Sequence, residues 1–337
     1  MTSQPTDSGP ATPSQPRPVS RLLQLLLLGA LPLVALPLRA DTAAADKAFQ
    51  SGHADDATTM LRSTLSTDPR NAKAHQLLCR VFYAQDRADE AVRECESAVN
   101  ISPDDSDNHL WLARAYGQKA TRVNMVSAFS IAKKVHAAFE EAARLDPSNL
   151  AALDDLGEFY VNAPGIVGGG VDKAESLDVR LRPLSDSKAH RLQALIAEKK
   201  GDLVTAEAEF KHAVEAGHSP EAYVDLGFFY QRQKRYDESE AALDTAVQRD
   251  RAHDNVLVDA ASILISAHRD PHKAESLLRT YLASPAKSEA APAFHVHVQL
   301  GDLLAADGDK DAARHEYEQA LALAANYAPA KKAMAKL

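Results

Sequence analysis

The chain has 337 residues, with 47 Asp and Glu against 38 Lys and Arg; the resulting net charge of −9 disfavours non-specific binding to nucleic acid or anionic lipid. Apolar residues make up 45% of it but aromatics only 6%, and 62 positions are alanine. That is helix-forming composition, which excludes a largely disordered chain and argues against a β-rich one.

Residues 1–20 are rich in Pro, Ser and Thr and carry no apolar periodicity, so they read as disordered. Arg17 and Arg21 then introduce an apolar stretch, residues 22–38, interrupted by Gln24, Pro32 and Pro37 and followed by Arg39 and Ala40. A basic start, a short apolar core and a small residue at the end read as a secretory signal peptide cut after Ala40, which sends the mature chain to the periplasm or out of the cell. The alternative is retention as an inner-membrane anchor, for which Leu38, an unusual residue three places before the cut, speaks. A spanning helix, however, needs about 20 apolar residues. Removal of residues 1–40 takes the net charge to −11.

From residue 41 onward one pattern recurs. A small residue is followed by apolar residues four and seven places on, one face of a helix, with the small residue at Ala57, Ala91, Ala174, Ala206, Ser239, Ala274 and Ala313. Successive spacings are 34, 32, 33, 35 and 39 residues, with a doubled gap between Ala91 and Ala174. A companion pattern marks the other half of the period: LLCRVFYAQ at 77–85, LWLARAYGQ at 110–118, LDDLGEFYVN at 153–162, YVDLGFFYQRQ at 223–233 and VQLGDLLAADG at 298–308. Two helices per period of about 34 residues predict an array of helix pairs.

These residues resemble the tetratricopeptide repeat. Leu226, Gly227 and Tyr230, and Leu156, Gly157 and Tyr160, match its first helix; Phe139, Ala142 and Pro147 match its second, and Pro69 and Pro103 close their repeats similarly. The resemblance implies an all-α, right-handed superhelical solenoid of about eight helix pairs, in units 41–71, 72–105, 106–149, 150–186, 187–219, 220–253, 254–293 and 294–327, with a capping helix over 328–337. The unit at 150–186 is degenerate at Asp178, and the first has a truncated leading helix. With its leader, the chain resembles secreted bacterial members of that family, which implies a non-catalytic scaffold.

Two units are lengthened at the turn between their helices, at residues 119–131 and 162–171. Equivalent turns of adjacent repeats stack, so the two insertions are expected side by side, as a candidate surface containing Ile166 and Val167. The run from Gly165 to Gly170 invites a phosphate-loop reading, but Val171 and Asp172 stand where Lys and Ser or Thr are required. A concave groove lined by first helices is the other surface. Inward positions there include Arg80, Leu110, Phe228, Gln231 and Arg232, with Tyr83, Trp111 and Arg114 as anchors and Asp154, Asp155 and Glu158 as an acidic patch for a basic partner. Gln76, Arg80 and Trp111 occupy the places where some relatives clamp a peptide carboxylate with Lys and Asn, so that clamp is absent.

Cys79 and Cys95 face each other across one helix pair, as a disulfide or as two buried thiols. The close histidine pairs His295 with His297, and His268 with His272, lack metal-binding geometry, and no catalytic grouping or cofactor motif is evident. The expected function is a periplasmic interaction scaffold or adaptor that binds a protein or peptide in its groove; the alternative is an accessory subunit of cell-surface polymer synthesis or export. Membrane contact is expected only if the leader is retained.

Overall fold

A computed structural model describes residues 42–337; the leader, its cleavage point and the anchor alternative lie outside the described residues. The described chain is a succession of α-helices joined by short turns. They pair as α1 (Thr42–Gln50) with α2 (Ala54–Thr67), α3 (Ala72–Ala84) with α4 (Ala88–Ile101), α5 (Ser106–Ala120) with α6 (Met125–Leu145), and α7 (Leu150–Asn162) with α8 (Val171–Leu181). Then follow α9 (Asp186–Lys200) with α10 (Leu203–Gly217), α11 (Pro220–Arg232) with α12 (Tyr236–Arg249), α13 (Asn255–Ser266) with α14 (Pro271–Ala283), and α15 (Ala293–Ala306) with α16 (Lys310–Leu323). A last helix, α17 (Ala328–Met334), caps the eight pairs.

Local chemistry sets the helix starts. Asn71, Asp105, Asn149, Ser185, Ser219 and Asp309 each accept a hydrogen bond from a backbone N–H three residues on, which satisfies a donor the helix itself leaves free. The turns inside the pairs share a second device. In five of them one residue sits at positive φ, Gly52 (90°), Asp86 (68°), Gly201 (80°), Lys234 (59°) and Gly308 (93°), and two turns hold a pair, Gly168 with Gly170 and His268 (54°) with Asp270 (36°). Glycine takes that conformation freely, whereas Asp86, Lys234 and His268 hold it at a cost of about 1–2 kcal/mol.

The periodic small residues are where the helices cross. Ala57, Ala91, Ala174, Ala206, Ala274 and Ala313 are wholly buried, and Ser239, in the same register, donates its hydroxyl to the Gly227 carbonyl at 2.8 Å. A Cβ on Gly227 would sit 2.9 Å from Leu243, so helices α11 and α12 touch backbone to side chain there. Phe49, Leu61, Leu77, Leu153, Phe210, Phe294 and Tyr317 fill the spaces between elements; burial of each contributes about 1.5–3 kcal/mol.

The array closes on itself. Arg80 on α3 grips Glu289 in the segment before α15, the Glu289 N–H donates to Gln50 Oε1 at 3.0 Å, and the Ala325 N–H donates to Asp55 Oδ2 at 2.7 Å. A Cβ on Gly52 would lie 2.8 Å from that of Ala293, so the first turn lies directly against the start of α15.

Candidate functional site

The inward side of the array is built by the first helices of successive pairs. Tyr83 on α3 and Trp111 on α5 meet edge to face, centroids 5.7 Å apart, and the Arg114 guanidinium lies 4.6 Å over the indole. All three side chains are half-buried. Arg114 Nε bonds Asp155 Oδ2 at 2.6 Å. Burial pushes the Asp155 carboxyl above its ordinary value, and the Arg114 hydrogen bond and charge act in the opposite direction. Burial likewise raises the Tyr83 phenol.

The carboxylates of the acidic patch are paired within the array. Asp154 accepts from Lys188 at 2.8 Å and from Arg191 at 3.1 Å, Glu158 pairs with Arg191, and Arg191 Nε reaches Asp225 Oδ2 at 3.0 Å. Burial opposes charge on Arg191, but Asp225, Asp154 and Glu158 outweigh it and hold the guanidinium above the ordinary arginine value. Lys188 and Arg191 escape a reading of one repeat at a time. Their signal in the sequence is the period itself, since Lys188 follows Asp154 by 34 positions. Further along, Arg232 bonds Glu198 at 2.6 and 2.9 Å while its guanidinium lies 4.7 Å over Phe228, and Gln231 reaches Ser266 at 3.3 Å. Arg80 is bound to Glu289, and Gln76, buried, donates to Asn108 at 2.9 Å. Leu110 is 3% exposed and belongs to the core rather than to the inward surface.

The second lengthened turn packs on α6, the helix that absorbs most of the first. Most of segment 119–131 is helix: Asn124 caps a new start, and α6 runs 21 residues, a turn and a half or more beyond its counterparts. Residues 162–171 fold into a short 3₁₀ turn at Gly165–Val167 and pack on α6, with His136 against Gly168 and stacked on Phe159 at 5.6 Å. Val167 is 5% exposed, so it anchors the turn instead of offering a contact. Ile166, by contrast, is 72% exposed, and at the start of α6 Met125 is 87% and Val126 83% exposed. Phe129, one helical turn past Met125, is also exposed, with Lys133 Nζ 4.8 Å from its ring.

The glycines serve this turn. The Gly169 and Gly170 N–H groups donate to the carbonyls of Pro164 and Tyr160, and a Cβ on Gly169 would fall 1.8 Å from the Ala163 carbonyl oxygen. Those donors are directed into the chain's own backbone, not outward as a phosphate cradle requires. Asp178, the departure in α8, is buried and pairs with Arg182 at 3.3 Å. Cys79 and Cys95 are joined in a disulfide between α3 and α4, Cα atoms 5.3 Å apart. Among the described residues no helix is long and apolar enough to cross a membrane.

Models of the tetratricopeptide repeat match residues 48–115, 220–253 and 294–327. No curated protein matches the sequence significantly. Among solved structures, yeast Tom70 is 15% identical, with a TM-score of 0.51, over 84% of this chain and 57% of its own. A thermophilic TPR protein of Thermus thermophilus is 17% identical, with a TM-score of 0.43, over 66% of this chain and 97% of its own. A tetratricopeptide repeat protein from Parabacteroides merdae is 16% identical, with a TM-score of 0.39, over 75% of this chain and 93% of its own.

Proposed function

The chain is a tetratricopeptide-repeat protein, and on that premise we propose that it is a non-catalytic scaffold or adaptor of the periplasm that holds a protein or peptide. The observation that carries this reading is an apolar ledge at the start of α6, where Met125, Val126 and Phe129 are exposed within about one turn, with Ile166 exposed in the 3₁₀ turn that packs on the same helix. Neighbouring large apolar side chains left in water mark interaction surfaces on soluble proteins. The inward face contributes Tyr83 and Trp111, but its charges are committed to one another, and a charged ligand would have to break those pairs. A partner with an apolar segment gains area at the ledge at no such cost. The Cys79–Cys95 disulfide supports an oxidising compartment.

The test is affinity capture from envelope extract with the oxidised mature chain as bait. Met125→Ser combined with Ile166→Ser is expected to lose the captured partner while the helical circular-dichroism signal is kept. Trp111→Ala with Arg114→Ala tests the inward face in parallel. Capture unchanged in both pairs of substitutions would refute the reading.

A further inference from the structure

The fifth helix pair brings three metal-type donors together. His190 on α9 and Glu209 and His212 on α10 place a ligand atom each within 4.8 Å of one another. His190 Nδ1 lies 2.6 Å from Glu209 Oε2, His212 Nδ1 lies 3.8 Å from Glu209 Oε1, and the two imidazole rings meet with centroids 5.2 Å apart. We propose that these three side chains bind a divalent transition-metal cation, zinc foremost, which fastens α9 to α10.

The ligand set and its spacing agree with that chemistry. Zinc takes imidazole nitrogen and carboxylate oxygen at about 2.0–2.2 Å in tetrahedral order, which sets its donors about 3.3 Å apart. The two separations here lie on either side of that value, and Glu209 and His212, three residues apart, share one face of α10. Asp186 Oδ1 stands 3.6 Å from His190 Nε2, placed to orient the ring from behind when Nδ1 faces the metal. The His212 side chain is 51% exposed, so an ion can enter and keep water as its fourth ligand. With the ion at Nδ1, neutral His190 takes the tautomer that carries its proton on Nε2, facing Asp186.

The repeat supplies an internal comparison. His75 with Glu94 at 2.6 Å, and His297 with Glu316 at 2.7 Å, stand in the same register as His190 with Glu209, each pair 19 residues apart. The histidine–glutamate bond is therefore part of the scaffold. Three residues after the glutamate those repeats carry Ser97 and Gln319, and Glu316 also faces Arg279 at 3.6 Å. Among the described residues the fifth pair is the one that adds a second imidazole.

The test is calorimetric titration of the untagged, oxidised, metal-stripped protein with zinc chloride at neutral pH. One equivalent is expected to bind, weakened at least about tenfold by His212→Ala and unchanged by His75→Ala. Because His212 is half-exposed, its replacement keeps the fold and the His190–Glu209 bond, which circular dichroism checks. No saturable uptake by the wild type, or equal uptake by His212→Ala, would overturn the proposal.

Discussion

Arg80 and Glu289, 209 residues apart in the chain, hold each other through two parallel bonds, Nε to Oε2 at 2.7 Å and Nη2 to Oε1 at 2.8 Å. The Arg80 side chain is 11% exposed and that of Glu289 24%. This fork joins the second helix pair to the segment before the last pair, and it closes the array together with the Gln50 and Asp55 bonds. Arg80→Ala is expected to leave half-buried Glu289 without its cation, at a cost of about 1–3 kcal/mol, and to enlarge the radius of gyration in small-angle scattering. A double-mutant cycle with Glu289→Ala should return a coupling of about 1–3 kcal/mol from urea melts.

The turn inside the sixth pair strains Lys234, held at φ 59°. Lys234→Gly should raise stability by about 0.5–1 kcal/mol, the left-handed cost relieved minus the extra entropy glycine loses on folding. Gly308→Ala, at φ 93° with open space around the added carbon, should lower it by about 1 kcal/mol through the backbone alone. Thermal melts of the two variants in opposite directions would confirm the shared turn device.

Reduction of the Cys79–Cys95 bond frees a loop of 16 residues and should cost about 3 kcal/mol by chain entropy. The loss should appear in denaturant melts with and without dithiothreitol. In Cys79→Ala combined with Cys95→Ala the reductant should have no further effect.

Acid should loosen the contact between α10 and the α11–α12 turn in a defined window. Hydrogen bonds first from Arg235 and then from Lys211 hold the Glu207 carboxyl at about 2, below its usual 4.5. A depressed folded-state value contributes stability that is fully present above pH 4.5 and is lost as pH falls towards 2. The site is near the surface, so screening reduces the contribution to about 1 kcal/mol. Glu207→Gln should therefore lower stability at pH 7 by that amount and flatten its decline between pH 4.5 and 2 in urea melts.

Much of the fold can be read along the chain because its determinants are local and periodic. Ala57 and Ala91, like Ala206 and Ser239, mark crossings one repeat apart, and Leu-Gly pairs such as Leu226 and Gly227 mark where helices approach. The site is less legible. Val167 and Ile166 are adjacent apolar residues in one loop, yet the 3₁₀ turn buries the first and exposes the second. Nor does the composition of segment 119–131 distinguish a loop from a longer helix; the Asn124 cap and the apolar spacing after it decide in favour of helix.

The sequence by itself determined the helix pairs, their period and the small residues at their crossings, since each depends on neighbours within about one repeat. Tertiary structure alone decided which charges are free. Asp154, Asp155 and Glu158 look like an acidic patch until the next repeat sets Lys188 and Arg191, and the previous one Arg114, within hydrogen-bond reach. It also decided that the array closes, Arg80 upon Glu289, and that His190, Glu209 and His212 converge. Charge and ligation depend on distances between helices, which rigid packing sets and which no run of consecutive residues records.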